Sequence, residues 1–379
     1  MLGLDSPTSL GVIRSLGRQG IPVVGIAEKG FSLSSASKFC KGEEIVGGES
    51  ELLDLLLECG EAAAPNRLVI FAENDTYLLF LEHYQEQLAQ FFLWWGPGKY
   101  TFAEIIDKRS MLSIAKDAGL DIPVTFYSDN HSVKEIGTEL VYPCIVKPCF
   151  TQNNYRTKCE IATNQEGLSR ILQGKRFESG YMVQEIIQGP VENLYFYMGY
   201  WNKKSAPIAA ICGYKLRQLP GDFGIGTLAV TKENSEITQL AEMFLRHIGF
   251  HGLADIEFKY NPRTGKYVFI EINPRPCGLI SLSATAGLDM VYLAYTDLTI
   301  AGATQGCHRH QPDGLLWMSI WDDLLSCVKY PLAQKKMAIW DWIRNIIRCN
   351  SYAVFSISDP KPFFWAIYLK IRHWCQSDR

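Results

Sequence analysis

The stretch from Gly252 to Pro276, GLADIEFKYNPRTGKYVFIEINPRP, constrains the fold more than any other part of the chain. In LADIEFKY, Ala254, Ile256, Phe258 and Tyr260 alternate with Asp255, Glu257 and Lys259. In KYVFIEIN, Val268, Ile270 and Ile272 alternate with Tyr267, Phe269, Glu271 and Asn273. Both runs have the period of half-buried strands. A connecting loop of three residues (Arg263 to Gly265) or five (Asn261 to Gly265) pairs even positions with even and odd with odd. Either register predicts Glu257, Glu271 and Asn273 on one face. Neighbours on one face of a sheet lie roughly 5 to 8 Å apart, a span that an oxygen-coordinated Mg²⁺ bridges while keeping waters and phosphate oxygens. Two carboxylates so close repel unless a cation sits between them. Asn273 adds an oxygen, and Arg275 adds a guanidinium suited to a phosphate oxygen. The competing reading is the solvated polar face of an ordinary hairpin.

A chain of 379 residues with 47% hydrophobic content can bury one large core or two to three modest ones. The formal charge of -3 gives no global pull toward nucleic acid, and no nucleic-acid partner is expected. Eleven scattered cysteines without a C-x-x-C pair point to reduced thiols and a cytoplasmic setting, with Cys144 and Cys149 as small core residues. The start, MLGLDSPTSL, lacks the pattern of a secretory leader, and no run reaches about 18 apolar residues.

The first hundred residues alternate helix and strand signals. A glycine turn at Gly3 precedes a helix near Ser9 to Gln19, the strand IPVVGIA, a Ser-rich loop, the helix ELLDLLLECG and the strand RLVIFA. Such alternation predicts a parallel, doubly wound sheet over residues 1–104. Met1 and Leu2 precede Gly3 directly, so the sheet opens on a short strand or the true start lies upstream. No G-x-G-x-x-G follows, which argues against a dehydrogenase. From Phe102 the pattern predicts one amphipathic helix closed by Gly119, then a proline-marked extended segment. YPCIVKP, KCEIAT and GYMVQEII read as strands around a helix near Gln165 to Gln173. NLYFYMGYW, PIAAICGYKLRQ and GTLAVT add further strands before the helix EITQLAEMFLRHIGF. This middle region reads as antiparallel or mixed α+β.

Lys147 ends the apolar strand CIVKP, where a desolvated ammonium needs an anionic partner. Lys108 in DKRSML is either a phosphate ligand or a solvated helix cation. Glu185 and Glu192 flank Gly189-Pro190, an arrangement that alone marks only a polar strand-to-loop edge. Lys215 and Arg217, two apart on a strand, are expected to share a face next to the glycine-rich LPGDFGIGT, either as an anion site or as a surface salt-bridge ladder. His247 and His251 flank the turn into the hairpin and are assigned structural or substrate-edge roles.

In order, DK, IVKP, QEIIQGPVE, YKLRQ and IEF…IEINPR resemble the ATP-grasp superfamily, specifically its carboxylate-amine ligase-like members, over roughly residues 1–300. The resemblance implies an N-terminal pre-grasp α/β domain (1–104) and a two-lobed α+β grasp domain (105–300) with its lid lobe at about 144–187. It implies that Lys108 and Lys147 contact ATP phosphates. Gln184, Glu185 and Ile187 then line the adenine site, and Glu192 takes the ribose hydroxyls. Glu257, Glu271 and Asn273 hold Mg²⁺ or Mn²⁺, while Arg275, Lys215 and Arg217 stabilise the transferring phosphoryl group and an acyl phosphate. The implied reaction joins a small carboxylate to an amine, amino acids among them, and releases ADP and phosphate. A non-catalytic nucleotide-binding scaffold and a carboxylase making carboxyphosphate are the alternatives. One departure stands out, since members usually carry a small glycine-rich loop after the VKP lysine. Here CFTQNNYRTK has no glycine, which leaves either side chains such as Asn153, Asn154 and Arg156 to meet the nucleotide or an ordinary polar hairpin tip.

The remaining residues, 301–379, read as an extra helical, aromatic segment. Six of nine tryptophans lie from Trp317 onward. Beyond Lys329, Lys335, Lys336, Arg344, Arg348, Lys361, Lys370, Arg372 and Arg379 outnumber Asp341, Asp359 and Asp378. Such helices pack on the body, pair with a second subunit in a homodimer, or lie on the anionic inner face of a membrane.

Overall fold

The computed structural model describes all residues except 29, 31, 130–139, 149–158, 174–179, 222, 301, 303–310, 330–338 and 378–379. The glycine-poor loop with Asn153, Asn154 and Arg156, and the basic pair Lys335 and Lys336, lie outside the described residues.

The N-terminal domain is a parallel sheet built around a two-residue stub. Strand β1 (Val23–Ala27) pairs with β2 (Cys40–Ile45), and β3 (Leu68–Val69) with β4 (Phe92–Leu93). Leu2 bridges Ile26 on one side and Ala72 on the other, both in parallel. The resulting order, β2-β1-Leu2-β3-β4, is doubly wound, with its switch point beside Leu2. Leu2 is buried to 1% exposure, so even this short strand is fixed by core packing. The carboxyl ends of these strands carry Gly3 and Glu73, and Asn74 caps the helix Asp75–His83.

The residues expected as the lid lobe, at about 144–187, join β5 (Thr125–Tyr127) in a four-stranded antiparallel sheet with β6 (Cys144–Pro148), β7 (Glu160–Ala162) and β8 (Tyr181–Glu185), in the order β5-β8-β6-β7. Strands β9 (Leu194–Trp201), β10 (Pro207–Leu219), β11 (Ile225–Thr231), β12 (Gly252–Asn261), β13 (Lys266–Asn273), β14 (Leu316–Met318) and β15 (Ser351–Tyr352) form the large sheet, ordered β13-β12-β9-β10-β11-β14-β15. The helix Ser235–Ile248, capped by Asn234 and ended by Gly249 at φ 69°, packs Phe244, Leu245 and Ile248 onto Tyr197, Trp201 and Phe269. Burying side chains of this size contributes roughly 1.5–3 kcal/mol each.

Three expectations need correction. The helix from Phe102 is two helices, Phe102–Ile106 and Lys108–Asp117. Asp107 leaves helical geometry to cap the second by accepting the Ser110 N–H, which puts Lys108 at a helix start. The hairpin loop is neither three nor five residues long: Asn261 pairs with Lys266, so odd meets even near the turn. A β-bulge between Glu257 and Phe258 absorbs the difference, pairing Glu257 with Glu271 and Asp255 with Asn273. The same bulge turns Phe269, placed by simple alternation on the polar face, into the core against Phe244 and Phe258. Finally, the residues after 301 contribute β14 and β15 to the large sheet rather than forming only added helices.

The C-terminal segment is also pinned to the body. Arg14 Nε lies 2.9 Å from Asp359 Oδ2, both buried, and the Arg14 guanidinium donates to the carbonyls of Val354 and Asp359. Trp321 stacks on Phe363. Exposed apolar side chains remain, among them Trp340, Ile347, Phe364 and Ile371. Among the described residues, no helix is long and apolar enough to cross a membrane. Cys40, Cys59, Cys144, Cys212, Cys277, Cys327 and Cys349 are free thiols.

Candidate nucleotide and metal site

The cross-strand pair Glu257–Glu271 lies on the inner surface of the large sheet, next to β9 and two strands from β10. Lys215 of β10 reaches Glu257, Nζ to Oε1 at 2.7 Å, with both side chains largely buried. Burial alone would pull the Lys215 ammonium down, but Glu257, backed by Glu271 and Asp255, more than offsets it and raises the group above its ordinary value. Burial, and then Glu257 opposite, push the Glu271 carboxyl up, while Lys215, Lys147 and Lys108 pull the other way. Asp255 is pushed up to about 7 by burial and by Glu257. Three clustered carboxylates thus face one directly paired cation. The excess negative charge needs further cations to settle it.

Those cations come from the other elements. Lys147, in the lid lobe, donates to Gln184 Oε1 at 3.1 Å, and Gln184 in turn donates to Thr125. Burial, then the neighbouring Lys108, lower the Lys147 ammonium, with Cys159 and Glu271 acting the other way. Arg275 binds Asp75 of the N-terminal domain, Nε to Oδ1 at 2.7 Å, and donates to Asn273 Oδ1 at 3.1 Å. Asn273 lies 3.4 Å from Asp255. Three parts of the chain therefore act on this cluster, the N-terminal sheet region through Asp75, the four-stranded sheet through Lys147 and the large sheet through the acidic pair.

The donor set is hard oxygen: two carboxylates and an amide. Among the described residues, no group of three or more His, Cys, Asp or Glu is arranged to hold a metal. Such a sparse set fits Mg²⁺, which keeps waters and phosphate oxygens, better than an ion caged wholly by protein.

Arg217 is the site residue that the structure does not bring to the acidic pair. The β10–β11 ladder shifts on both sides of it. The face expected to be shared with Lys215 is thereby broken, and Arg217 pairs instead with Asp323 of the helix Ile320–Lys329, Nε to Oδ1 at 2.8 Å and Nη2 to Oδ2 at 2.7 Å. Thr227 and Trp342 also donate to this fully buried carboxylate. Of the remaining expected residues, Gln184 and Ile187 are buried and Glu185 is half-buried, Arg263 standing 3.8 Å from its carboxylate. Glu192 lies in the short 3₁₀ turn Val191–Asn193 that opens onto β9.

The residues that the pattern did not single out are mostly partners. Asp255 shares the odd face of β12 with Glu257, so parity alone could have added it. Asp75 follows a parallel strand, the usual place for a ligand-facing side chain. Asp323 carries no local signal, since its partner lies 106 positions away.

The family described as "ATP-grasp in the biosynthetic pathway with Ter operon" matches residues 218–314. The D-aspartate ligase of Enterococcus faecium (strain Aus0004) is 26% identical over 227 residues, which cover 55% of this chain and 53% of that ligase. The chain thus spans about half the length of this relative. The folds agree over most of the chain. The biotin carboxylase domain of Hydrogenobacter thermophilus 2-oxoglutarate carboxylase, solved with MgADP and bicarbonate, superposes with a TM-score of 0.61 at 17% identity, covering 83% of this chain and 72% of that one. The L-amino acid ligase of Bacillus licheniformis does so with a TM-score of 0.57 at 16% identity, covering 78% and 73%. Residues 218–314 thus match an ATP-grasp family, and most of the chain shares the fold of these two enzymes. The two-stranded acidic hairpin meets Lys215 directly, and Arg275 just beyond its end meets Asp75.

Proposed function

We propose that this chain is an ATP-dependent ligase that activates a small carboxylate as an acyl phosphate and joins it to an amine, releasing ADP and phosphate. The observation that carries this reading is the Glu257–Glu271 pair, set opposite each other with Lys215 on one carboxylate and Lys147 and Lys108 acting on the other. Such a set suits a nucleotide triphosphate with Mg²⁺ or Mn²⁺. Glu257, Glu271 and Asn273 would hold the ion, which supplies charge neutralisation on the phosphate oxygens when bound.

The chain's own residues account for the rest. A carboxylate is a poor electrophile. Its oxygen attacks the γ-phosphorus of ATP, the bond from that phosphorus to the ADP oxygen breaks, and an acyl phosphate forms. The amine nitrogen then attacks the acyl carbon, the bond to phosphate breaks, and the nitrogen gives up a proton. Negative charge grows on the phosphoryl oxygens in the first step, and Lys147, Lys215 and Arg275 are the cations available to meet it. Glu185 and Ile187 border the adenine site and Glu192 the ribose.

An amino acid as one substrate is supported by two relatives, a D-aspartate ligase and an L-amino acid ligase. Contact of the exposed C-terminal face with an anionic membrane, or with a second subunit, stands as a separate proposal. The test of the main reading is ADP release from ATP and Mg²⁺ across pools of amino acids and hydroxy acids. Stimulation by an acid and an amine together supports ligation. Tight ATP binding with no ADP from any pool would favour a non-catalytic scaffold.

A further inference from the structure

The lid lobe joins the body by two chain crossings, residues 119–124 ahead of β5 and 186–193 between β8 and β9. Both are held by the outer half of the same hairpin whose inner half carries the acidic pair. On the first crossing, the Phe269 N–H donates to the Asp121 carbonyl at 2.8 Å, and Lys266 lies 3.1 Å from the Asp121 carboxylate. On the second, Lys259 Nζ donates to the carbonyls of Pro190 at 2.7 Å and Gly189 at 3.3 Å. Asn193 donates to the Tyr260 carbonyl, and Arg263 stands near Glu185.

Lys259 is an unusual strut. It shares the odd face of β12 with Asp255 and Glu257, with the bulge on the opposite strand leaving that alternation intact. Two carbonyls hold this cation beside the residue expected at the ribose. Gly189 sits at φ 130°, and a Cβ there would come within 2.4 Å of Asn193 Nδ2, so the turn admits only glycine without a shift. The turn is therefore shaped by its own backbone and fastened by Lys259.

We propose that Lys259 is a positioning residue for the nucleotide, fastening the Gly189–Pro190 turn so that Glu192 and the backbone of 185–187 face the cleft in register with the Glu257–Glu271 pair. This inference rests on the reading of the site as an ATP site. In it the hairpin is a single rigid part that sets both the phosphate end and the nucleoside end of the ligand.

The test compares Lys259→Met and Lys259→Arg with the parent protein, using calorimetric titration with ADP and Mg²⁺, hydrogen exchange of 186–193, and steady-state turnover. Loss of charge-assisted bonds to two carbonyls predicts an ADP dissociation constant about tenfold higher in Lys259→Met. It also predicts faster amide exchange across 186–193, and a KM for ATP that rises with kcat nearly constant. Lys259→Arg should recover most of the affinity. An unchanged ADP affinity in folded Lys259→Met, with the parent binding normally, overturns the inference alone. A parent protein that binds no adenine nucleotide overturns the ATP-site reading and this inference together. Should Lys259→Met fold poorly, Gly189→Ala disturbs the same turn directly, and unaltered ADP affinity there would be equally contrary.

Discussion

Replacing Glu271 by glutamine should stabilise the resting protein while crippling it as a catalyst. Glu257 and Glu271 are directly paired across the hairpin, and such pairs have Cβ atoms about 5 Å apart. Two unit charges at ~5 Å and an effective dielectric of ~20 repel by about 3 kcal/mol. Lys215, 2.7 Å from Glu257, offsets part of this, so a net gain of about 1–2 kcal/mol is expected for the metal-free protein. With an unfolding entropy of about 2 cal/mol/K per residue over 379 residues, that is a rise in Tm of about 1–3 °C. The shape of the side chain is kept, so the fold survives. Turnover should fall on the order of 10²-fold or more, as for loss of one transition-state stabiliser. Differential scanning fluorimetry with and without Mg²⁺, beside ADP release, reads both effects. The parent should gain stability from Mg²⁺ with ADP and the variant should gain much less. A Glu271→Gln protein that melts lower than the parent without metal, and is still stabilised by Mg²⁺ as strongly, would refute the electrostatic argument.

Three further outcomes follow from the structure. Asp323→Asn leaves the buried Arg217 guanidinium without its counter-charge and should cost about 3–5 kcal/mol in chemical denaturation, whereas a loss under 1 kcal/mol would mean that Arg217 finds another anion. His251 is pushed down to about 4, mainly by burial, with Asp297 opposing and Lys203 assisting. Between about pH 6.5 and pH 4 the unfolded chain binds a proton there that the folded chain does not. Stability should therefore fall as pH drops through that window by up to about 3 kcal/mol, and His251→Gln should flatten the profile; an unchanged profile counts against it. For the C-terminal face, flotation with anionic liposomes at low and high salt tests the membrane proposal. Salt-sensitive binding that is lost in Trp340→Ser/Phe364→Ser supports it, and a parent protein that never floats leaves the face to a protein partner or to solvent.

The period-two pattern made the hairpin and its acidic face legible, because alternation and pairing are local properties of two neighbouring strands. It could not locate the bulge: a loop of different length with one extra residue restores the same parity at the site while moving Phe269 into the core. The parallel N-terminal sheet was readable from alternating signals, but β2 and β4 were not, since β2 is a half-exposed run, CKGEEI, and β4 only two residues. Helix splitting at Asp107 turned on one capping side chain within a continuous amphipathic pattern. The ion pairs of Arg217, Arg275 and Arg14 were the least accessible, as each joins residues more than 100 positions apart. Charge pattern along a strand shows where a cation sits, not which distant carboxylate closes on it.

Ligation through an acyl phosphate fixes the fate of one carboxylate oxygen. An amino acid that stimulates ADP release is supplied with ¹⁸O in its carboxylate, together with ATP, Mg²⁺ and the accepting amine, and the released phosphate is analysed by mass spectrometry. An acyl phosphate requires one ¹⁸O to appear in phosphate for each ADP formed, alongside the ligated product. Phosphate that carries oxygen only from ATP and water, with ADP still released, would show simple ATP hydrolysis and contradict the ligase reading.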